Sequence, residues 1–244
     1  MSGGWISADW PAPDNIVAGT TTRVGGVSAG VFESLNLGAH VGDDLAAVAE
    51  NRQRFVTMCD LPGEPDWLTQ VHGTTVAIAG ETDATEADAA IAQDPATVIA
   101  VLTADCLPIL LCAGSGAEVA AIHGGWRGLA AGVVAATLSR MATAPDGLMA
   151  WLGPAISQPA FEVGGEVRQA FVEREAAAAA CFEPNERGRW QADLYGLARL
   201  QLCAAGVSAV YGGEHCTYRD PGRFFSYRRD GQCGRMASFV CRKR

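Results

Sequence analysis

TVIAVLTADCLPILLCAG, residues 97–114, is a long apolar run with a proline inside it. It reads as a buried strand interrupted at Asp105-Cys106-Leu107-Pro108, because proline has no N–H to give to a sheet ladder and the strand must bulge or break there. Downstream, GSGAE (114–118) is a turn, EVAAIHGGWRG (118–128) a second strand ending at His123, and GLAAGVVAATLSRMA (128–142) a helix. A strand end facing a helix start is a frequent place for chemistry, because backbone N–H groups converge there.

Upstream, WLTQVHGTTVAIAG (67–80) reads as strand, His72-Gly73 turn, strand. ETDATEADAA (81–90) is acidic and low in bulk, hence a loop, with Asp88 a cap or turn residue. IVAGTTTRVGGVSAGVFESLNLG (16–38) reads as a strand and a glycine-rich loop whose spacing is not that of a dinucleotide fingerprint. DDLAAVAENRQRFVTMCDL (43–61) is a helix capped by Asp43 or Asp44 and closed by Pro62-Gly63. In the C-terminal half, GLMAWLGPAIS (147–157) is a strand and GGEVRQAFVEREAAAAACF (164–182) is helical. ADLYGLARLQLCAAGV (192–207) is a helix capped by Asp193 and ended by Gly206. SAVYGGE (208–214), RFFSYRRDG (223–231) and RMASFVCR (235–242) read as short strands. Strands and helices mix without strict βαβ alternation, internal repeat or long linker. The expectation is one α+β layered domain over residues 1–244.

The 244 residues are 49% hydrophobic and 18% charged, as in a globular protein, and no apolar run approaches the roughly 20 residues of a membrane span. The first residues lack a basic start and an apolar core segment, so a cytoplasmic protein without a signal peptide is expected. A net charge of −9 argues against nucleic-acid binding. The charge is uneven: residues 219–244 carry +6, and the stretch RFFSYRRDG is suited to a small anion. Lys243 is the one lysine, which disfavours Schiff-base and P-loop chemistry and leaves anion handling to arginine and backbone amides. Eight cysteines spread singly read as mostly buried free thiols.

Chemistry concentrates in TQVHG (69–73), TADCLPILL (103–111) and AIHGGWRG (121–128), which hold two of the four histidines. His72, Cys106 and His123 suit a catalytic zinc with three protein ligands and an open fourth position. They equally suit a cysteine nucleophile with a histidine base. His40 reads as a turn or solvated residue, and His215-Cys216 as a possible fourth ligand or second site.

These motifs occur in the order TTRVGGVSAGVFESLNLG, ENRQRF, TQVHG, TADCLPILL, IHGGWRGLAAGVV, GPAIS with FEVGGEV, DLYGLARLQL, FFSYRRDG and GRMASFV. In that order the chain resembles the YfiH/YlmD family, whose members carry the multicopper polyphenol oxidase or laccase-type domain and are also called peptidoglycan editing factors. The resemblance runs from about residue 15 to 240. It implies a single-domain α/β sandwich with helical layers outside sheets, of the cytotoxic necrotizing factor catalytic-domain type. It implies zinc on His72, Cys106 and His123, phosphorolysis of adenosine, inosine, guanosine or methylthioadenosine, and deamination of adenosine.

For deamination, Asp105 and Glu162 are the candidate proton carriers, although strand alternation can turn Asp105 away. For phosphorolysis, Arg23, Arg52, Arg127 and Arg228 are the candidate phosphate forks, each equally open to an ordinary salt-bridge role. Asn36 is a candidate for ribose or base edges, and Phe225 and Tyr227 for stacking on a purine. Four histidines are too few for a multicopper oxidase, which needs on the order of ten imidazoles. Copper remains an alternative metal at the three-ligand site. The rival enzyme is a cysteine hydrolase or amidase acting on a cell-wall precursor, with Cys106 as nucleophile and His123 or His72 as base. The expected partners are nucleosides and phosphate, with no nucleic acid or membrane, and a monomer by default.

Overall fold

The 97–114 run is split between two sheets. In the computed structural model, which describes residues 4–80 and 86–243, its first half is a strand of one sheet and its second half a strand of another. In chain order the strands are β1 (Trp5–Ser7), β2 (Ile16–Thr21), β3 (Asp66–Trp67), β4 (Val76–Ile78), β5 (Ala89–Ala92), β6 (Val98–Thr103) and β7 (Leu107–Ala113). They continue as β8 (Val119–Gly124), β9 (Leu148–Leu152), β10 (Glu162–Val163), β11 (Phe182–Pro184), β12 (Trp190–Ala192), β13 (Ala209–Gly212) and β14 (Met236–Arg242). The helices are α1 (Leu45–Met58), α2 (Trp126–Ala131), α3 (Val133–Leu138), α4 (Gly165–Val172), α5 (Leu194–Ala204) and the short α6 (Tyr227–Asp230).

One sheet has the order β1-β2-β14-β6-β3 and the other β13-β9-β7-β8-β5-β4, with a small β10-β12-β11 sheet beside them. Alternation along β6 and β7 explains why both strands are apolar at nearly every position. Val98, Ala100 and Leu102 face α1, where they pack with Phe55 and Phe239, while Ile99 and Val101 face the second sheet. Leu110 and Cys112 look back at the first sheet, and Ile109 and Leu111 look outward to α2, α3 and α5. Each strand is therefore covered on both faces, giving four layers: α1, sheet, sheet, helices. Full burial of each Leu or Ile side chain contributes about 1.5–3 kcal/mol. Among the described residues no helix is long and apolar enough to cross a membrane.

Several local expectations change. The break in the 97–114 run falls at Ala104–Cys106, and Pro108 sits inside β7 opposite His123. The acidic loop ends earlier than expected: residues 81–85 lie outside the described residues, but Ala89–Ala92 form the fully buried strand β5. Alanine fits there because β5 is sandwiched between β4 and β8. Gly132, at φ +97°, divides the expected 128–142 helix into α2 and α3. The 164–182 helix stops at Val172 and is followed by a 3₁₀ stretch over Ala176–Cys181. RFFSYRRDG forms no strand, and Ser226 instead caps the turn α6 by accepting from the Arg229 N–H. Asp44 caps α1 as expected, whereas Asp193 stands at the start of α5 without a capping bond.

Buried Glu118 ties the end of β7 and β8 to the segment after α3. It accepts the N–H groups of Ala142 and Thr143 at 3.0 Å each and the Gln93 amide at 2.8 Å. Burial pushes its pKa up, but the Gln93 bond and the two backbone bonds outweigh this and hold it below the usual 4.5. A depressed folded-state pKa gives stability that is present above the unfolded value and lost as pH falls through the folded one. Glu118→Gln is therefore expected to cost about 1–3 kcal/mol at pH 7. The gap to the parent should narrow as denaturation is repeated below pH 4.5. A gap independent of pH would show that the carboxylate charge contributes nothing.

Candidate metal centre

Three segments deliver one ligand atom each: the loop before β4, the crossing from β6 to β7, and the end of β8. The His72 and His123 ring nitrogens and Cys106 Sγ all lie within 4.8 Å of one another, the one such group of three among the described residues. Cys106 Sγ is 3.8 Å from His72 Nε2. The imidazole rings stand edge to face, with centroids 4.7 Å apart. His72 reaches this position with φ +62°, a left-handed backbone unusual for a side chain with a Cβ. Asp105, just before Cys106, has φ +104°. One of these strained residues belongs to the cluster and the other adjoins it, and the surrounding hydrogen bonds fix both.

Asp88 supplies most of that fixation, a role its loop-like sequence context conceals. Its carboxylate is fully buried and accepts four bonds. The N–H groups of Val71, His72 and Gly73 donate at 3.2, 2.9 and 2.6 Å, and His123 Nδ1 donates at 2.8 Å. The Asp88 carbonyl also accepts the His123 N–H at 2.7 Å. One carboxylate thus shapes the QVHG turn and commits the His123 Nδ1 proton, leaving Nε2 as the nitrogen offered to the cluster. Burial pushes the Asp88 pKa up, but the His123 and backbone bonds outweigh it and hold the pKa below 3.8.

Cys106, which is only half-buried, differs from the buried thiols. Burial pushes Cys59 and Cys112 up to about 12. Burial also opposes ionisation of Cys106, yet the His123 charge and hydrogen bond, followed by those of His72, bring it down to about 6. Burial would lower His123, but the Cys106 thiolate and Asp88 raise it to about 9. A thiolate and two imidazoles, one oriented by a carboxylate, form a donor set that fits zinc or another borderline divalent metal. Gly125 keeps the space clear. A Cβ there would lie 2.7 Å from His72 Cδ2 and 3.3 Å from Cys106 Sγ. The cluster opens into a cavity of about 420 Å³, whose other walls include His40, Tyr227 and Arg235.

Most of the other expected site residues are engaged elsewhere. Asp105 accepts from Thr217 Oγ1 at 2.6 Å and the Arg228 N–H at 2.7 Å, so it braces two C-terminal segments. The Glu162 carboxylate pairs with Arg187 and accepts from Asn185, and Arg228 donates to the Glu162 carbonyl. Arg23 donates to the Glu33 and Pro221 carbonyls and lies over Phe225, which is a core residue. Arg52 donates to the Leu37 carbonyl and stacks on Trp67. Arg127 lies over its neighbour Trp126 and is not in the cavity wall. Asn36 is buried, accepts the Gly38 and Arg235 N–H groups and donates to Asp43. His215 stacks near Phe224, and Cys216 Sγ accepts from Ser157 Oγ at 2.9 Å, so neither joins the cluster. Tyr227, 61% exposed, does stand at the cavity. Arg235 and His40 line it as well, with Gln70 and the segment from Leu102 to Ala104. Arg235 was legible only as one of eight basic side chains in residues 219–244.

Residues 17–243 match the family described as multi-copper polyphenol oxidoreductase laccase. The chain is 52% identical over 237 residues to a purine nucleoside phosphorylase of Pseudomonas aeruginosa, covering 97% of each. It is 51% identical over 237 residues to the Escherichia coli purine nucleoside phosphorylase YfiH, covering 96% of this chain and 97% of that one. A Neisseria meningitidis crystal structure, 49% identical, superposes with a TM-score of 0.95 over 99% of this chain and 100% of that one. Sequence, fold and the ordered motifs agree, and the chain belongs to the YfiH/YlmD family of laccase-type domains.

Proposed function

We propose that the chain is a purine nucleoside phosphorylase that works with zinc held by His72, Cys106 and His123. The observation that carries this reading is the convergence of the three donor atoms, with Asp88 behind them, on one cavity of about 420 Å³. That volume lies within the range of small-molecule sites. The likeness to relatives named as purine nucleoside phosphorylases supplies the reaction class. When bound, zinc would supply Lewis-acid charge to an oxygen of substrate or water.

The chain's own residues do the rest. Asp88 holds His123 in one tautomer and the QVHG turn in one shape, so the donors need no rearrangement. Tyr227 offers a ring at the cavity on which a purine stacks. Among the described residues no carboxylate lines the cavity, since Asp105 and Glu162 are committed elsewhere. Zinc deaminases depend on a carboxylate that is not a ligand. Adenosine deamination is therefore the slower activity, and phosphorolysis to purine base and ribose 1-phosphate the main one.

A second reading has its own observation. Asp88, His123 and Cys106 form a carboxylate–imidazole–thiolate chain of the kind that activates a cysteine nucleophile, as a hydrolase or amidase would need. One assay separates the two. Zinc-loaded protein is incubated with adenosine, with and without phosphate, before and after chelation. We expect adenine and ribose 1-phosphate with phosphate, loss of both on chelation and recovery with zinc. Absence of ribose 1-phosphate under all conditions would overturn the phosphorylase.

A further inference from the structure

The wall of the cavity that carries no metal ligand is basic, and the cation there is not among the arginines singled out by sequence. Arg235 lines the cavity together with His72, Cys106 and His123. It is held from three sides. Its backbone N–H donates to Asn36 Oδ1 at 2.9 Å, and its guanidinium Nη1 donates to the Cys233 and Gly234 carbonyls at 2.8 and 3.0 Å. Gly38 packs on its stem, where a Cβ would come within 2.9 Å of Arg235 Cγ. Its guanidinium stands 5.9 Å from the Tyr227 ring centroid. These contacts leave Nε and Nη2 without a protein acceptor among the described residues, and no carboxylate lines the cavity to neutralise the charge. Arg23 and Arg52 spend their forks on backbone carbonyls, and Arg127 lies outside the wall.

We infer that Arg235, with His40 beside it, forms the subsite for free inorganic phosphate in the cavity that also holds the metal ligands. This rests on the phosphorylase reading. Nucleophile and nucleoside must share one enclosure for phosphorolysis, and a preorganised guanidinium fork matches two phosphate oxygens. The field at His40 is consistent with an anion site. Burial first, and then the charges of Arg235 and Arg52, lower its pKa, so His40 stands in the positive surroundings that an anion would occupy.

The test has a binding arm and a kinetic arm on zinc-loaded protein. Orthophosphate should raise the melting temperature of the parent and of Arg127→Gln, and should lose that effect in Arg235→Gln. In adenosine phosphorolysis, Arg235→Gln should raise the phosphate KM about 10- to 100-fold, the size expected for a lost charged hydrogen bond, with a much smaller change in the adenosine KM. Arg235→Lys, which keeps the charge but not the fork, should fall between. The binding arm needs no turnover, so absence of phosphorolysis sinks the function without deciding the subsite. A phosphate shift retained by folded Arg235→Gln, or lost instead in Arg127→Gln, would overturn the assignment. So would protection by adenosine 5′-monophosphate that depends on Arg235 with none from orthophosphate.

Discussion

Replacing Asp88 with alanine is expected to lower the unfolding free energy by about 3–5 kcal/mol, the cost of breaking a buried charged pair by removing one partner. The same change should leave the protein unable to hold zinc stoichiometrically. Four donors lose their acceptor together: the N–H groups of Val71, His72 and Gly73, and His123 Nδ1. The QVHG turn then loses what keeps His72 at φ +62°, and His123 loses what fixes its tautomer. In a chain of this length the melting temperature should fall by roughly 6–20 °C. Asp88→Asn should be milder in stability, since its one amide oxygen can still accept from part of the set. It should still lose metal affinity by about 10- to 100-fold. Because the folded Asp88 pKa lies below 3.8, its contribution is complete above that value and disappears as pH falls further. Calorimetry of the metal-free protein separates this structural role from catalysis. A metal-free Asp88→Ala protein that melts with the parent and still binds one zinc would sink the account.

Why Asp88 escaped a reading of the sequence while the three ligands did not is a matter of range. His72, Cys106 and His123 each sit in a distinctive local setting of glycine or apolar strand, and such settings are legible one at a time. Asp88 acts across 16 residues on one side and 35 on the other. Its segment looks like a loop because three of the four β5 residues are alanines, whose burial comes from the neighbouring strands rather than from their own bulk. The 97–114 run shows the same limit. Its break is visible in Asp105 to Pro108, but the transfer of the chain from one sheet to the other appears only once β14 pairs with β6 and β9 with β7. The arginines make the point for the site. Residue type predicted that an arginine handles anions, but backbone carbonyls at Glu33, Pro221 and Leu37 claim Arg23 and Arg52. The cavity is left to Arg235, whose neighbourhood is set by Asn36, about 200 residues away.

The role of Cys106 is best decided at His72. Both chemical readings need Cys106, His123 and Asp88, so variants of those residues stop either reaction. Of the two bases open to a cysteine nucleophile, His123 is the one whose ring is hydrogen-bonded by Asp88, so the carboxylate–imidazole–thiolate chain is complete without His72, which is then needed by the metal set alone. His72→Gly is the suitable change. Glycine accepts φ +62° without a Cβ penalty, and the backbone N–H that donates to Asp88 remains in place. The fold is therefore expected to survive, with a melting temperature for the metal-free protein close to the parent's. Loss of one of three protein ligands should weaken zinc binding by more than the 10- to 100-fold typical of residues behind the ligands, and phosphorolysis should fall at least as far. The thiol should respond as well. The largest of the influences that bring Cys106 to about 6 come from His123, with smaller ones from His72. In the metal-free variant the thiol should titrate somewhat higher yet remain far below the buried Cys59 and Cys112, near 12. Metal analysis, phosphorolysis rate and pH-dependent alkylation of Cys106 can be read on one preparation. Full turnover of any substrate by zinc-free His72→Gly would overturn the metal reading and assign the chemistry to the thiolate. Parallel loss of zinc and turnover, with the low-pKa thiol intact, would make Cys106 a ligand whose activation serves the metal.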